Sequence, residues 1–107
     1  MSVNTPICTR YCKSVATGVT DDNDYVVPAG KTLCITSWGA NSAHVSSVHV
    51  GIKWDGVNQF FTHGDYIEDN PCEFVGDGTK KLTIRLKNNS GNSETIGAFY
   101  KGYLYDT

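Results

Sequence analysis

Turn-forming clusters recur along this chain at short intervals, and that spacing constrains the fold more than any other feature. They fall at Thr20 to Asp24, Pro28-Ala29-Gly30, Gly39 to Ser42, Asp55-Gly56, His63-Gly64-Asp65, Asp77-Gly78 and Asn88 to Asn92. Asp-Gly pairs and Asn/Ser/Gly clusters supply the positive φ angles that tight hairpins need. The segments between them carry a period of two. Val48, Val50, Ile52 and Trp54 alternate with His49, Gly51 and Lys53, and Leu82, Ile84 and Leu86 alternate with Lys81, Thr83, Arg85 and Lys87. Such alternation places one face of a strand in a core and the other in water. No window of about eleven residues carries a helical apolar stripe.

Other segments alternate less cleanly. Leu33 to Trp38 is β-rich with apolar groups on both faces, which predicts a central or covered strand. Tyr11 to Thr17 reads as a first strand, and Tyr25-Val26-Val27 leads into the Pro-Ala-Gly turn. Val57 to Thr62, Glu73 to Val75 and a long final stretch from Thr95 to Tyr105 complete the set. The chain is 107 residues long, enough for one domain. The reading is all-β, about eight strands in one domain over 1–107 as a sandwich or barrel, with residues 1–10 left as an N-terminal arm.

Nine basic and eleven acidic residues give a net charge of −2. No domain-wide basic field exists, so phosphate-backbone binding and a nucleic-acid partner are not expected. No apolar stretch approaches the roughly 20 residues that span a bilayer as a helix, so no membrane insertion is expected. The first residues lack the basic and apolar regions of a secretory signal, which predicts synthesis in a reducing cytoplasm. There Cys8, Cys12, Cys34 and Cys72 read as free thiols. Four cysteines also permit three disulfide pairings. Cys8 and Cys12 are one loose pair, against the two tight pairs a zinc site wants.

Groups with chemical potential are scattered. His44 and His49 are five apart and point to opposite faces if they share a strand. His49 alternates with the apolar set and should face solvent or a subunit interface. His63, Asp65 and Glu68 are the one set resembling metal ligands, but nothing fixes their geometry and a polar loop explains them. Asp21-Asp22-Asn23-Asp24 lacks the glycine and distal glutamate of an EF-hand loop, so it reads as a solvated turn. Gly76 to Lys80 lacks the spacing of a phosphate-binding loop, and no Gly-x-Ser-x-Gly elbow is present. Asn88-Asn89-Ser90 fits a glycosylation sequon but reads as a turn. No catalytic, metal or cofactor site is therefore expected.

The aromatic residues are more informative. Trp38 and Trp54 read as core anchors, and one of the adjacent Phe60 and Phe61 should face outward. In the final stretch Phe99, Tyr103 and Tyr105 share one parity, while Ile96, Ala98, Tyr100 and Leu104 share the other. One face serves the core, which leaves Phe99, Tyr103 and Tyr105 as a candidate assembly surface for a homo-oligomer or partner. Exposed tyrosines also stack on sugar rings, so a glycan is the alternative ligand. A second candidate surface is the loop with Phe60, Phe61, His63, Asp65, Tyr66, Glu68 and Asp69.

The stretch from Tyr25 through Val27-Pro28-Ala29-Gly30-Lys31-Thr32-Leu33 to Thr36 resembles the opening strands of small jelly-roll virion proteins of tailed bacteriophages. Gly76 to Asn88 and Gly97 to Tyr103 are similar to later parts of such proteins, in the same order. These proteins include head-decoration proteins, fibre-head modules and host-attachment components. The resemblance implies a single antiparallel jelly-roll-like β-sandwich, and a non-enzymatic structural or adhesive component of a phage particle, made in the host cytoplasm and carried in the virion. Its implied partners are capsid or tail proteins and further copies of itself. No functional residue transfers individually. A carbohydrate-binding module and a small cytoplasmic accessory protein or enzyme of a mobile element are the alternatives.

Overall fold

A computed structural model describes residues 4–42, 47–63, 66–69 and 71–107. Among the described residues nine strands run in chain order: β1 Thr5–Val15, β2 Thr20–Val26, β3 Lys31–Ser42, β4 Val48–Trp54, β5 Val57–His63, β6 Tyr66–Glu68, β7 Cys72–Val75, β8 Lys81–Asn88 and β9 Glu94–Asp106. Among the described residues there is no helix. Every pairing is antiparallel. The five-stranded sheet has the order β1-β9-β3-β6, with β7 also on β3, and the four-stranded sheet has the order β2-β8-β4-β5. Only the β4–β5 and β6–β7 connections stay within a sheet; all others cross to the opposite one. The turn spacing predicts a sandwich or barrel; the sheets form a sandwich, and if β6 and β7 count as one broken strand its strand order is that of a jelly roll.

The broken strand has a visible cause. Pairing of β3 with β9 slips between Ile35 and Ser37, so Thr36 is an extra, bulged residue. β7 pairs with β3 from Thr32 to Ile35 and β6 from Trp38 to Ala40, one on each side of that bulge. The bulge reverses parity along β3. Leu33 and Ile35 face the core before it, and Trp38 and Ala40 face the core after it. This is why Leu33 to Trp38 shows apolar groups in both parities.

Between the sheets lies one core. Val48, Val50 and Ile52 meet Leu82, Ile84 and Leu86 on one side, and Leu33, Ile35, Trp38, Ile96 and Tyr100 close it from the other. All of these are at most 1% exposed. Trp38 stacks on Phe60 across the sheets at 5.2 Å, and its indole nitrogen donates to Glu68 Oε2 at 3.0 Å. Trp54 is half-buried and packs at 5.1 Å against Phe74. Asp55 and Gly56 both have positive φ, 49° and 83°, as the two-residue β4–β5 hairpin requires.

Two boundaries differ from the sequence reading. The first strand starts at Thr5, so residues 5–10 are strand rather than arm. Only Ile7, Thr9 and Tyr11 turn inward over that stretch, too sparse a pattern to register as alternation. The acidic run is not a turn either: it is the body of β2. Its partner β8 supplies Arg85, which holds Asp22 through bonds of 2.7 and 2.8 Å. The Thr83 hydroxyl donates to Asp24 at 2.7 Å, and Lys81 lies 3.4 Å from the same carboxylate. Cross-strand attraction thus overrides the weak β-propensity of Asp and Asn. Asp21 points inward instead and pairs with Lys13 of β1 at 3.3 Å. An inward charge on each edge strand discourages runaway edge pairing.

Candidate functional site

The registers sort the outer surface of each sheet. On the five-stranded sheet, Pro6, Tyr103, Cys34 and Glu73 form one row across β1, β9, β3 and β7. Arg10, Phe99, Gly39 and Ile67 form another across β1, β9, β3 and β6, and Tyr105, Thr32 and Val75 lie beyond the first. The candidate assembly residues Phe99, Tyr103 and Tyr105 are therefore all on this face, each half-buried. Tyr103 and Tyr105 lean on each other at 6.0 Å. The floor beside them on β3 is made of small side chains, Thr32, Cys34 and Ser37, all buried although they face away from the core. The Tyr103 hydroxyl is pushed up chiefly by the neighbouring Cys34 thiol, and burial followed by the Glu73 carboxylate pushes Tyr105 up. Both stay protonated and able to donate at neutral pH.

Exposed apolar side chains occur on strands of both sheets, with Val26, Val57 and Phe61 on edge strands β2 and β5 of the four-stranded one. On the five-stranded one, Ile67 is 71% exposed and Val75 56%. Cys8 and Cys12 are exposed free thiols on the same face. Four residues apart on one strand, they are about 13 Å from each other, too far to bridge. Cys34 is buried, and burial pushes the Cys72 thiol up. The opposite face, on the four-stranded sheet, is ionic: Asp22 with Arg85, Asp24 with Lys81 and Thr83, and Lys53 alongside. Arg85 holds the Asp22 carboxyl below the usual range.

The candidate loop surface does not come together. Phe60 is turned inward onto Trp38, and Glu68 is turned inward to the same indole. Phe61 is outward and 50% exposed, on the other sheet, edge-on to His49 at 5.4 Å. Asp69 is exposed. His63 and Tyr66 lie at the ends of β5 and β6, where only their backbones are described, and Asp65 and His44 lie outside the described residues. Alternation along β5 separates the two phenylalanines, and the Trp38 nitrogen inside the barrel of side chains claims Glu68. Among the described residues no cluster of His, Cys, Asp or Glu is arranged to hold a metal.

Two rejected motifs have structural explanations. In the turn after β7, Asp77 Oδ1 accepts from the backbone nitrogens of Thr79 and Lys80 and from the Thr79 hydroxyl, each at 2.8 Å. The loop's donors serve its own aspartate, whose carboxyl they hold down at about 2. Asn88, in the apparent sequon, is wholly buried and its amide is fully bonded within the chain.

A feature the sequence did not disclose is a hollow of about 420 Å³ on the outer face of the five-stranded sheet, lined by Arg10, Cys12, Asn41, Ile67, Gly97 and Phe99, with Ala40 and Ala98. Its residues come from four strands, so only the registers bring them together.

No family model matches the chain, and no curated protein matches it. Among solved structures it is similar to dimeric latent PorU from Porphyromonas gingivalis, with a TM-score of 0.51 and 7% identity over 96% of this chain. The match spans 13% of the PorU chain. At that identity the likeness concerns the fold alone.

Proposed function

We propose that this protein is a non-enzymatic structural or adhesive module acting by non-covalent association through the outer face of its five-stranded sheet. The contrast between its two outer faces carries this reading. One carries rows of paired charges across its middle, with exposed Val26 and Phe61 only on its edge strands β2 and β5. The other presents Phe99, Tyr103 and Tyr105 beside exposed Ile67 and Val75. Three aromatic rings with flanking aliphatic side chains on one face of a small domain, interspersed with Lys101 and Glu73, fit a partner contact. The resemblance of Tyr25–Thr36, Gly76–Asn88 and Gly97–Tyr103 to phage virion proteins supplies the setting: a capsid-decoration or tail/fibre-associated component. Its partners there are capsid or tail proteins and copies of itself in a symmetric oligomer.

Sedimentation tests the association. The wild-type chain is expected to form a species heavier than its 11.7-kDa monomer at micromolar concentration. Val75→Asp, a change at an exposed position, should return it to monomer with its melting temperature unchanged. A monomer at every concentration, together with no retention on purified capsids or tails, would overturn the proposal. Capsid and tail genes beside this one would support the setting; lysis or metabolic genes would count against it.

A further inference from the structure

We propose that the hollow at the Phe99 end of this face binds an acidic sugar ring, with the carboxylate on Arg10 and the ring's apolar side against Phe99. This does not depend on self-association, which the Tyr103–Tyr105–Val75 end can serve separately. Three observations carry it.

The first is charge. Arg10 takes part in none of the ion pairs among the described residues. Lys101 sits diagonally across the β1–β9 pair from it. No acidic residue occurs in 8–12, 37–41 or 97–101, the stretches of β1, β3 and β9 at this level. On β6, the fourth strand of the hollow, Glu68 is turned inward to Trp38 and exposed Asp69 lies past the strand's end. Among the described residues Arg10 and Lys101 therefore form a cationic spot at the β1–β9 side, with no ion pair to either. A guanidinium matches a carboxylate with two parallel hydrogen bonds, and each charge-assisted bond is stronger than a neutral one.

The second is shape. Gly97 keeps the floor open: a Cβ there would meet Cys12 Sγ at 3.2 Å and Cys12 Cβ at 3.3 Å. Phe99 and Ile67 rise as walls on either side, in one register row with Gly39 between them. A volume of about 420 Å³ is at the small end of ligand sites and suits a single ring with its substituents.

The third is the mix of groups. The half-buried Phe99 ring offers a flat apolar surface, while Arg10 and Asn41 offer polar contacts at the rim. A pyranose ring needs both, since one of its faces is apolar and its edge is all hydroxyl. A purely apolar ligand would leave Arg10 unused, and a bare anion would leave Phe99 unused.

Titration followed by amide NMR tests this with defined probes: methyl glucuronide, methyl N-acetylneuraminide, methyl glucoside and acetate. At least one of the two acidic sugars should shift the Arg10, Asn41, Gly97 and Phe99 amides. The neutral glucoside and acetate should each bind about tenfold or more weaker. Arg10→Ala, at an exposed site, should lose about tenfold or more for the acidic sugar and leave the glucoside unchanged. Added salt should weaken the acidic sugar and leave the neutral glucoside unchanged. Glucoside binding as tightly as the acidic sugars, acetate competing on equal terms, or no shift at these amides from any probe would overturn the proposal. Sedimentation of Arg10→Ala should match wild type, so failure of the sugar site and failure of self-association are read separately.

Discussion

Asn88 shows how much a single polar side chain organises here. It ends β8 and is 0% exposed. Its amide nitrogen donates to the carbonyls of Val15 and Asn92, both at 2.8 Å, and its oxygen accepts from the Ser90 nitrogen and hydroxyl at 2.8 and 2.6 Å. Its backbone also bonds to Gly18 and Val19. One residue thus ties the end of β1, the β1–β2 turn and the loop before β9. Both donors and both acceptor positions of the amide are used, so nothing is left for solvent or a glycan. Asn88→Asp keeps the shape but turns two donors into acceptors aimed at two carbonyls. The buried Val15 carbonyl losing its partner, plus the burial of a carboxylate, should cost about 3 kcal/mol. Urea unfolding measures this, and a loss below about 1 kcal/mol would mean that the site admits water.

At the level of elements, the amphipathic strands were legible, as were β5 and β7 at the edges, whereas β1 was legible only from Tyr11 and β2 only at Tyr25 and Val26. β4 and β8 are flanked on both sides by other strands, so their inward positions are aliphatic from Val48 to Ile52 and from Leu82 to Leu86, and the period of two is plain. β1 and β2 are edge strands with thin cores beneath them. Their inward positions include Thr9, Lys13, Asp21 and Asn23, which reads as loop in sequence. β3 was legible as central, but its bulge was not, because a single extra residue shows only as a change of parity. That bulge predicts an intolerant position. Gly102 pairs with Ile35 just before the slip, and a Cβ on it would fall 1.8 Å from the Cys34 carbonyl oxygen and 2.9 Å from the Ile35 Cα. These are backbone atoms of the central strand and cannot swing aside. Gly102→Ala should destabilise by about 3 kcal/mol, the upper part of the range for overpacking. Gly91→Ala, where a Cβ meets nothing within 4 Å, should leave the melting temperature nearly unchanged. Equal melting temperatures for the two variants would contradict the close approach of β9 to β3.

For the whole molecule, the consequence of the jelly roll is that the last strand closes what the first began. β9 is hydrogen-bonded to β1 along Thr5–Val15 and to β3 along Lys31–Ser42, so it lies between two strands made long before it. The outer-face hollow and the tyrosine row both include β9, so neither exists until that strand is in place. This is also why the candidate site was only partly readable: the parity of Phe99, Tyr103 and Tyr105 is local, whereas Arg10 and Ile67 join them only through long-range pairing. Such pairing requires loops of many tens of residues to close before contacts form, which slows folding. Refolding should therefore occur on the millisecond-to-second scale typical of sandwiches. Trp38 is a suitable reporter, since its stacking on Phe60 and bond to Glu68 join strands of both sheets. A chain ending before Glu94 lacks a central strand of the five-stranded sheet and should show no cooperative unfolding transition. Microsecond recovery of Trp38 fluorescence, or a sharp transition in the truncated chain, would show that the four-stranded sheet folds by itself and that β9 docks onto a finished scaffold.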